Sequence, residues 1–164
     1  MSVRVIGDLA YVPLSRGLEA TVDAADIGLI SGISWCASKN RNTTYATATM
    51  RDNGSQKWVG MHRLITGAET GQVVDHIDGN GLNNTRRNLR VCTNQQNIFN
   101  QGIRTTNRSG YKGVHWNKSL GKWRAQIQID GKIKSLGCFD DVNEAAMAYR
   151  AASNKLHGKY ARNC

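Results

Sequence analysis

Apolar and polar residues alternate most regularly in the last third of the chain. Trp123, Ala125, Ile127 and Ile129 are apolar at every second position, with Arg124, Gln126 and Gln128 between them. That is the period of a strand that buries one face. Asp130-Gly131 follows as a two-residue hairpin signal, and Lys132-Ile133-Lys134-Ser135-Leu136 continues the alternation. Tyr111 to Val114 begins a further strand. Asp141 and Glu144 form a capping box for a helix through Leu156. Ala145, Tyr149, Ala152 and Leu156 recur at spacings of 4, 3 and 4, one helical face. The pattern predicts three antiparallel strands backed by one helix over residues 110–164.

The N-terminal pattern is looser but also β-rich. Val3, Val5, Ile6, Leu9, Tyr11 and Val12 read as one or two strands ahead of Pro13. Asp23 to Asp26 predicts a short helix or turn. Ile33 to Cys36, Thr43 to Met50 and Lys57 to Met61 read as strands, punctuated by Asn40, Asn42, Asn53 and Gly54. Arg51-Asp52-Asn53-Gly54 is a hairpin turn.

In the middle, Met61 to Ile65 opens a short helix or closes the last strand. Val73 to His76 is a strand that ends in a turn, because Asp78-Gly79-Asn80-Gly81 is dense in turn formers. Asn88 to Cys92 is its partner strand. Thr93, with Gln96 three residues on, caps a helix that runs through Asn97 to about Asn100. Residues 101–109 have no apolar period and read as a linker. The predicted class is α+β. A small β-rich lobe spans 1–60, a strand-loop-strand-helix core 61–100, a linker 101–109, and a three-stranded sheet with one helix 110–164.

Charge adds a partner class. The 164 residues hold 22 Lys+Arg against 12 Asp+Glu, a formal net charge of +10. The excess grows along the chain: net +1 over 1–60, +3 over 61–110 and +6 over 111–164. A basic excess favours a polyanion through phosphate neutralisation and counterion release. No two of Cys36, Cys92, Cys138 and Cys164 form a CxxC pair, so no structural zinc is expected. No secretory signal or membrane-spanning run is found, and an intracellular compartment with free thiols is expected.

The chemistry concentrates at Asp75-His76-Ile77-Asp78-Gly79-Asn80, followed by Asn88 and Asn97. His76 has the intrinsic pKa of a base near neutral pH. Asp75 offers an anionic oxygen and Asn97 a neutral amide oxygen, a set suited to a hard cation such as Mg²⁺. Asn88 can fix His76 or the intervening loop. Adjacent strand residues point to opposite faces, so Asp75 and His76 share a site only if the strand bends. Asp78, Asn80, Asn83 and Asn84 read as turn chemistry. His62 reads as structural. Arg63, Arg86, Arg87 and Arg90 are candidate phosphate contacts or solvated charges.

Val74-Asp75-His76-Ile77-Asp78-Gly79-Asn80-Gly81-Leu82-Asn83-Asn84, with Asn88-Leu89-Arg90 and Asn94-Gln95-Gln96-Asn97, resembles the HNH endonucleases. The likeness is to phage-borne homing nucleases with a ββα-metal fold, over about residues 60–100. It implies His76 as general base, Asp75 and Asn97 as metal ligands, and Asn88 as the residue that orients the base. Many members carry His at the position of Asn97. Asn there implies the H-N-N variant, Mg²⁺ with Mn²⁺ as an alternative, and leaves nicking or double-strand cutting open.

A second resemblance covers about Ser109 to Cys164. Tyr111-Lys112-Gly113-Val114, Gly121-Lys122-Trp123-Arg124-Ala125, Leu136-Gly137-Cys138-Phe139 and Glu144 to Tyr149 are similar to AP2/ERF DNA-binding domains. That family reads the major groove with its sheet. The expected reading residues are Arg124, Gln126 and Gln128, with Lys112, His115 and Asn117 from the first strand and Lys132 and Lys134 from the third. Together the two resemblances imply a phage-encoded endonuclease acting on double-stranded DNA in the host cytoplasm, with a monomer favoured. A regulator that binds DNA without cutting it is the alternative. An extended linker of nine residues reaches at most roughly 30 Å, which places cleavage within about one DNA turn of the bound segment.

Overall fold

Alternation builds the first sheet. In β1 (Arg4–Ile6), β2 (Leu9–Pro13) and β3 (Glu19–Asp23), joined antiparallel in that order, Ala10, Val12, Ala20 and Val22 are buried. A 3-10 turn at Ala24–Asp26 leads into the short α1 (Ile27–Ile30). The computed structural model describes residues 2–40, 43–52 and 54–162, without the Asp52 side chain. Asn42 and Asn53, two of the expected punctuating residues, lie outside the described residues, as does Cys164.

The second sheet joins β4 (Cys36–Lys39), β5 (Thr44–Asp52) and β6 (Ser55–Gly60) in that order. The strand expected over Ile33 to Cys36 starts only at Cys36. Trp35 is buried instead, its indole N–H donating to the Ile30 carbonyl at 3.1 Å, which ties the preceding residues to α1. Of the two alternatives at Met61 to Ile65, the helix forms, as α2 (Met61–Thr66). β7 (Val73–His76) and β8 (Leu89–Cys92) make a two-stranded antiparallel ribbon. Asn88 belongs to a 3-10 turn at Arg86–Asn88 rather than to the strand. One core joins these elements: the buried alanines and valines of the sheets pack with Ile30, Trp35, Met61, Ile65 and Leu89.

These elements make up the first of two units, residues 1–94; the second spans 95–164. It opens at Gln95, within α3 (Asn94–Asn100). Its sheet is β9 (Val114–Asn117), β10 (Lys122–Ile129) and β11 (Lys132–Phe139), with β10 central. The first strand starts at Val114 rather than Tyr111. Gly113 has φ +72°, and a Cβ there would lie 2.1 Å from the Tyr149 ring, so the chain turns tightly over the helix before it extends. Residues 107–111 form a hydrogen-bonded knot: the Asn107 side chain accepts from the Ser109 and Gly110 N–H groups and donates to the Tyr111 carbonyl. Lys112 Nζ donates to the Phe99 and Gln101 carbonyls at 2.6 Å each. A fully extended nine-residue tether therefore does not describe residues 101–109.

α4 (Val142–His157) starts where Asp141 accepts from the Asn143 N–H at 2.8 Å. Its buried row is Ala145, Tyr149, Ser153 and His157, spaced strictly by four. Leu156, expected inside, is 41% exposed. Two polar residues take the inner row because they are bonded there. Ser153 Oγ meets His157 Nδ1 at 3.3 Å, and His157 Nε2 donates to the Gln128 carbonyl at 3.2 Å.

Candidate active site and nucleic-acid interface

Asp75 and His76 close β7, and both are 5% exposed. Asp75 faces Arg90 across the ribbon; Arg90 Nε donates to Asp75 Oδ2 at 2.8 Å, and the guanidinium approaches to 2.6 Å. The His76 ring lies 5.7 Å from the Tyr45 ring of β5 and 5.2 Å from the His62 ring of α2. Burial lowers the His76 pKa, against the opposing effects of an Asn84 hydrogen bond and the Asp78 and Asp75 charges. The ring is thus neutral at neutral pH and able to accept a proton. Burial, then the nearby His76 and Arg63, bring His62 down to about 4. An uncharged His62 does not oppose a proton arriving on His76. Burial and then the Asp75 charge push the Tyr45 phenol up, so it stays protonated.

The loop between the strands is wired through Asp78. Its carboxylate accepts from the Asn80 N–H at 2.8 Å, Asn83 Nδ2 at 2.8 Å and Asn88 Nδ2 at 2.9 Å. Burial alone would raise the Asp78 carboxyl, but these bonds and the nearby His76 hold it below its ordinary value. Asn88 Oδ1 accepts the Asp78 N–H at 3.0 Å, and its Nδ2 also donates to the Asn83 carbonyl. Asn88 is therefore bonded to the intervening loop, one of the two partners its residue type allowed. The amide opposite His76 is Asn84, fully buried, with Oδ1 3.3 Å from Nε2.

The N-terminal sheets hold this loop. The Thr21 N–H donates to the Leu82 carbonyl at 2.8 Å, and the Asn84 N–H donates to the Thr21 carbonyl at 2.7 Å. The Gly81 N–H donates to Thr43 Oγ1. A Cβ on Gly81 would lie 2.5 Å from the Thr44 carbonyl oxygen and 2.6 Å from the Tyr45 ring. Sequence reasoning assigned Asn84 to turn chemistry and gave Tyr45 no role. Nothing in one dimension separates Asn84 from Asn83; only its burial does.

The expected phosphate contacts divide. Arg63 is bonded to the carbonyls of Ala68, Glu69 and Gln72, and it organises the turn after α2. Arg86 makes a two-pronged pair with Asp26, which is 3% exposed, and its N–H donates to Asp23. Arg90 holds Asp75. These guanidiniums brace the protein. Arg87 is exposed and has no protein partner among the described residues.

Asn97 lies half-buried on α3, in the second unit, whereas Asp75 belongs to the first. Among the described residues no group of three or more His, Cys, Asp or Glu could hold a metal ion. What the first unit offers is one buried carboxylate, already paired with Arg90, on the residue preceding the His76 imidazole. That fits a hard cation taking few protein ligands and retaining its waters, not a caged soft metal.

In the second unit the register sorts the expected reading residues. Arg124 pairs with His115 and Cys138, Lys122 with Asn117, Gln126 with Ser135, and Gln128 with Ile133. Cross-strand partners share a face, so Asn117, His115, Lys122, Arg124, Gln126 and Gln128 line the outer face. Asn117 Oδ1 also accepts from the Ser119 and Leu120 N–H groups, which caps the β9–β10 turn. Lys132 and Lys134 pair with Ile129 and Ile127 and fall on the opposite face from Gln126. The physical reason is the two-residue Asp130-Gly131 turn, which sets Ile129 against Lys132. A bulge at Ala125/Gln126 then shifts the register by one residue, which holds as far as Phe139. Lys112 lies before β9, with its ammonium on the carbonyls of Phe99 in α3 and of Gln101 just after it.

Comparison with known proteins follows the same division. A family model described as an HNH endonuclease matches residues 59–98, and one described as an AP2 domain matches residues 109–159. The chain is 37% identical over 92 residues to protein 3.8 of Escherichia phage T7, covering 56% of this chain and 75% of that protein. It is 34% identical over 88 residues to an uncharacterised HNH endonuclease, L560, of Acanthamoeba polyphaga mimivirus, covering 54% of this chain and 44% of that one. Among solved structures, the HNH homing endonuclease I-HmuI matches at 27% identity over 62% of this chain and 57% of its own, with a TM-score of 0.35. The chain thus spans about half the length of the mimivirus and I-HmuI chains. No helix among the described residues is long and apolar enough to cross a membrane.

Proposed function

The chain belongs to the phage and viral HNH endonucleases and carries an AP2 domain, and on that premise we propose that it is a metal-dependent endonuclease of double-stranded DNA. The observation that carries this is the buried, neutral His76 beside the buried Asp75 at the end of one strand. His76 takes a proton from water. The resulting hydroxide oxygen bonds to phosphorus, and the bond from phosphorus to the leaving sugar oxygen breaks. Asp75 and Asn97 would hold the cation, Mg²⁺ or Mn²⁺, with Arg90 bonded to the Asp75 carboxylate. When bound, the cation neutralises charge developing on the phosphoryl and leaving oxygens. His62 and Tyr45 wall the His76 ring and exclude water from its flanks.

The outer face of the C-terminal sheet selects the DNA. Arg124, Gln126 and Gln128 offer bidentate or paired hydrogen bonds to base edges, with His115 and Asn117 beside them. Arg87 supplies a phosphate contact. Lys132 and Lys134 lie on the other face of the sheet and act at most through long-range charge. The protein acts as a phage-encoded monomer in the host cytoplasm.

A binding-only regulator is the second reading. The Asp75–Arg90 ion pair favours it, because a guanidinium already neutralises the carboxylate a cation would use. Supercoiled plasmid incubated with protein and Mg²⁺ separates the two. The nuclease gives relaxed or linear product that a chelator abolishes and that excess RNA does not suppress. A retarded but intact plasmid at every metal concentration establishes the regulator.

A further inference from the structure

We propose that Ile133 contacts the methyl group of a thymine in the major groove, beside the base met by Gln128, so that an apolar contact helps to set which DNA the chain selects. The inference rests on the DNA-selecting role of the C-terminal sheet proposed above and adds a residue that determines sequence there.

Two features of the sheet turn Ile133 outward. The Asp130-Gly131 hairpin sets Ile129 opposite Lys132, and from there Ile133 pairs with Gln128 and Ser135 with Gln126. At the far end, Gly137 pairs with Ala125 and Cys138 with Arg124. Were that second register continued unbroken to the turn, Lys134 would stand opposite Gln128. The bulge at Ala125/Gln126 offsets the two registers by one residue, and a one-residue offset exchanges the faces of a strand. Ile133 and Ser135 therefore share the face of Gln126 and Gln128, and Lys132 and Lys134 take the other.

The exposure and chemistry of Ile133 then point to its contact. It is 64% exposed, on an edge strand, with polar side chains around it on the outer face. Cβ atoms directly across a strand pair lie about 5 Å apart, and base pairs stack about 3.4 Å apart. Gln128 and Ile133 thus meet the same base pair or its neighbour. A glutamine amide pairs with adenine at N6 and N7. An isoleucine offers neither charge nor hydrogen bond. In unmodified DNA the one apolar group on the major-groove edges is the thymine methyl. The Gln128–Ile133 pair therefore suits A·T base pairs, where a lysine at the same place would have sought acceptors.

The test removes the methyl alone. Full-length protein, without added metal, selects duplexes from a random double-stranded pool. In a recovered duplex, thymines are replaced one at a time by uracil, which keeps every hydrogen-bonding group and lacks the methyl. Fluorescence anisotropy gives affinities for wild type, Ile133→Ala and Lys134→Ala. The wild type is expected to bind roughly fourfold more weakly when one particular thymine is replaced, the worth of one buried methyl group. Ile133→Ala is expected to bind the thymine duplex roughly fourfold more weakly and to be indifferent to uracil at that position. Lys134→Ala is expected to keep the uracil penalty. A wild type that no uracil weakens, or a penalty of equal size in Ile133→Ala, overturns the inference and leaves the DNA-selecting role of the sheet standing. Loss of the penalty in Lys134→Ala but not in Ile133→Ala overturns it too. A wild type that enriches no sequence overturns that role, and the inference with it.

Discussion

The two units bury polar side chains to different ends. Of ten buried polar residues among those described, seven lie in the first unit and three in the second. In the second unit, Ser153 and His157 sit one turn apart on α4, both nitrogens of His157 are bonded, and its ring stacks on Phe99 at 3.6 Å. A ring held at both nitrogens and on its face maintains shape. In the first unit, five of the seven lie between Asp75 and Asn88 and come from a strand end, a loop and a 3-10 turn. A buried polar group left unpaired costs about 1–3 kcal/mol, so this density requires the outside support that Thr21, Thr43, Asp23 and Asp26 provide. The contrast separates a polar pair that completes a helix face from a polar cluster that the proposed function would use for chemistry.

The largest effects should come from glycines that let chain segments approach closely. Gly113→Ala forces a Cβ into the Tyr149 ring at positive φ and should cost about 3 kcal/mol. Hydrogen exchange should show lost protection confined to residues 95–164. Gly81→Ala should instead loosen the loop over Tyr45 and lower cleavage. Protection lost equally in both units by either change would erase the comparison.

Acid should act on the first unit next. His62 has a folded pKa of about 4 against 6.5 unfolded, so the unfolded chain binds its proton first. Its contribution is fully present above pH 6.5 and declines as pH falls toward 4. Linkage gives about 2 kcal/mol lost between pH 8 and pH 5 from this residue. Urea denaturation across that range should flatten by that amount in His62→Gln. An unchanged slope contradicts the burial of the ring.

Arg86 and Arg87 give a comparable test between neighbours. Arg86→Ala strands the buried Asp26 carboxylate and should cost about 2 kcal/mol, without changing the salt dependence of DNA binding. Arg87→Ala should leave the melting temperature within error and reduce that salt dependence by about one unit. The reverse outcome would exchange their roles.

The smallest effect belongs to the sheet faces. Arg124→Ala should weaken binding to a selected DNA site by about 1 kcal/mol or more, and Lys134→Ala by less than half that. Equal losses, measured by fluorescence anisotropy, would mean that both faces meet DNA.

Much of this was legible in one dimension, for physical reasons that differ by region. The β10 alternation fixed which side of the C-terminal sheet meets the helix, because a period of two leaves no other choice. The face of β11 was misassigned, although the Asp130-Gly131 turn already implied that Ile129 and Lys132 pair. The helix row was misread at Leu156 because Ser153 and His157 bury polar atoms through bonds that hydropathy does not register. In the first unit, Asp75 and His76 stood out by residue type and spacing. The partners around them did not. Asn83, Asn84 and Asn88 are chemically identical, and only the grip of Thr21 on the loop separates the one that faces His76 from those that close the turn.

Single-turnover cleavage and DNA binding by His76→Ala beside wild type test the central claim most directly. The account predicts wild-type affinity for DNA and strand cleavage slower by about 10³-fold, with the fold intact by circular dichroism. Cleavage at the wild-type rate by the folded variant would contradict it.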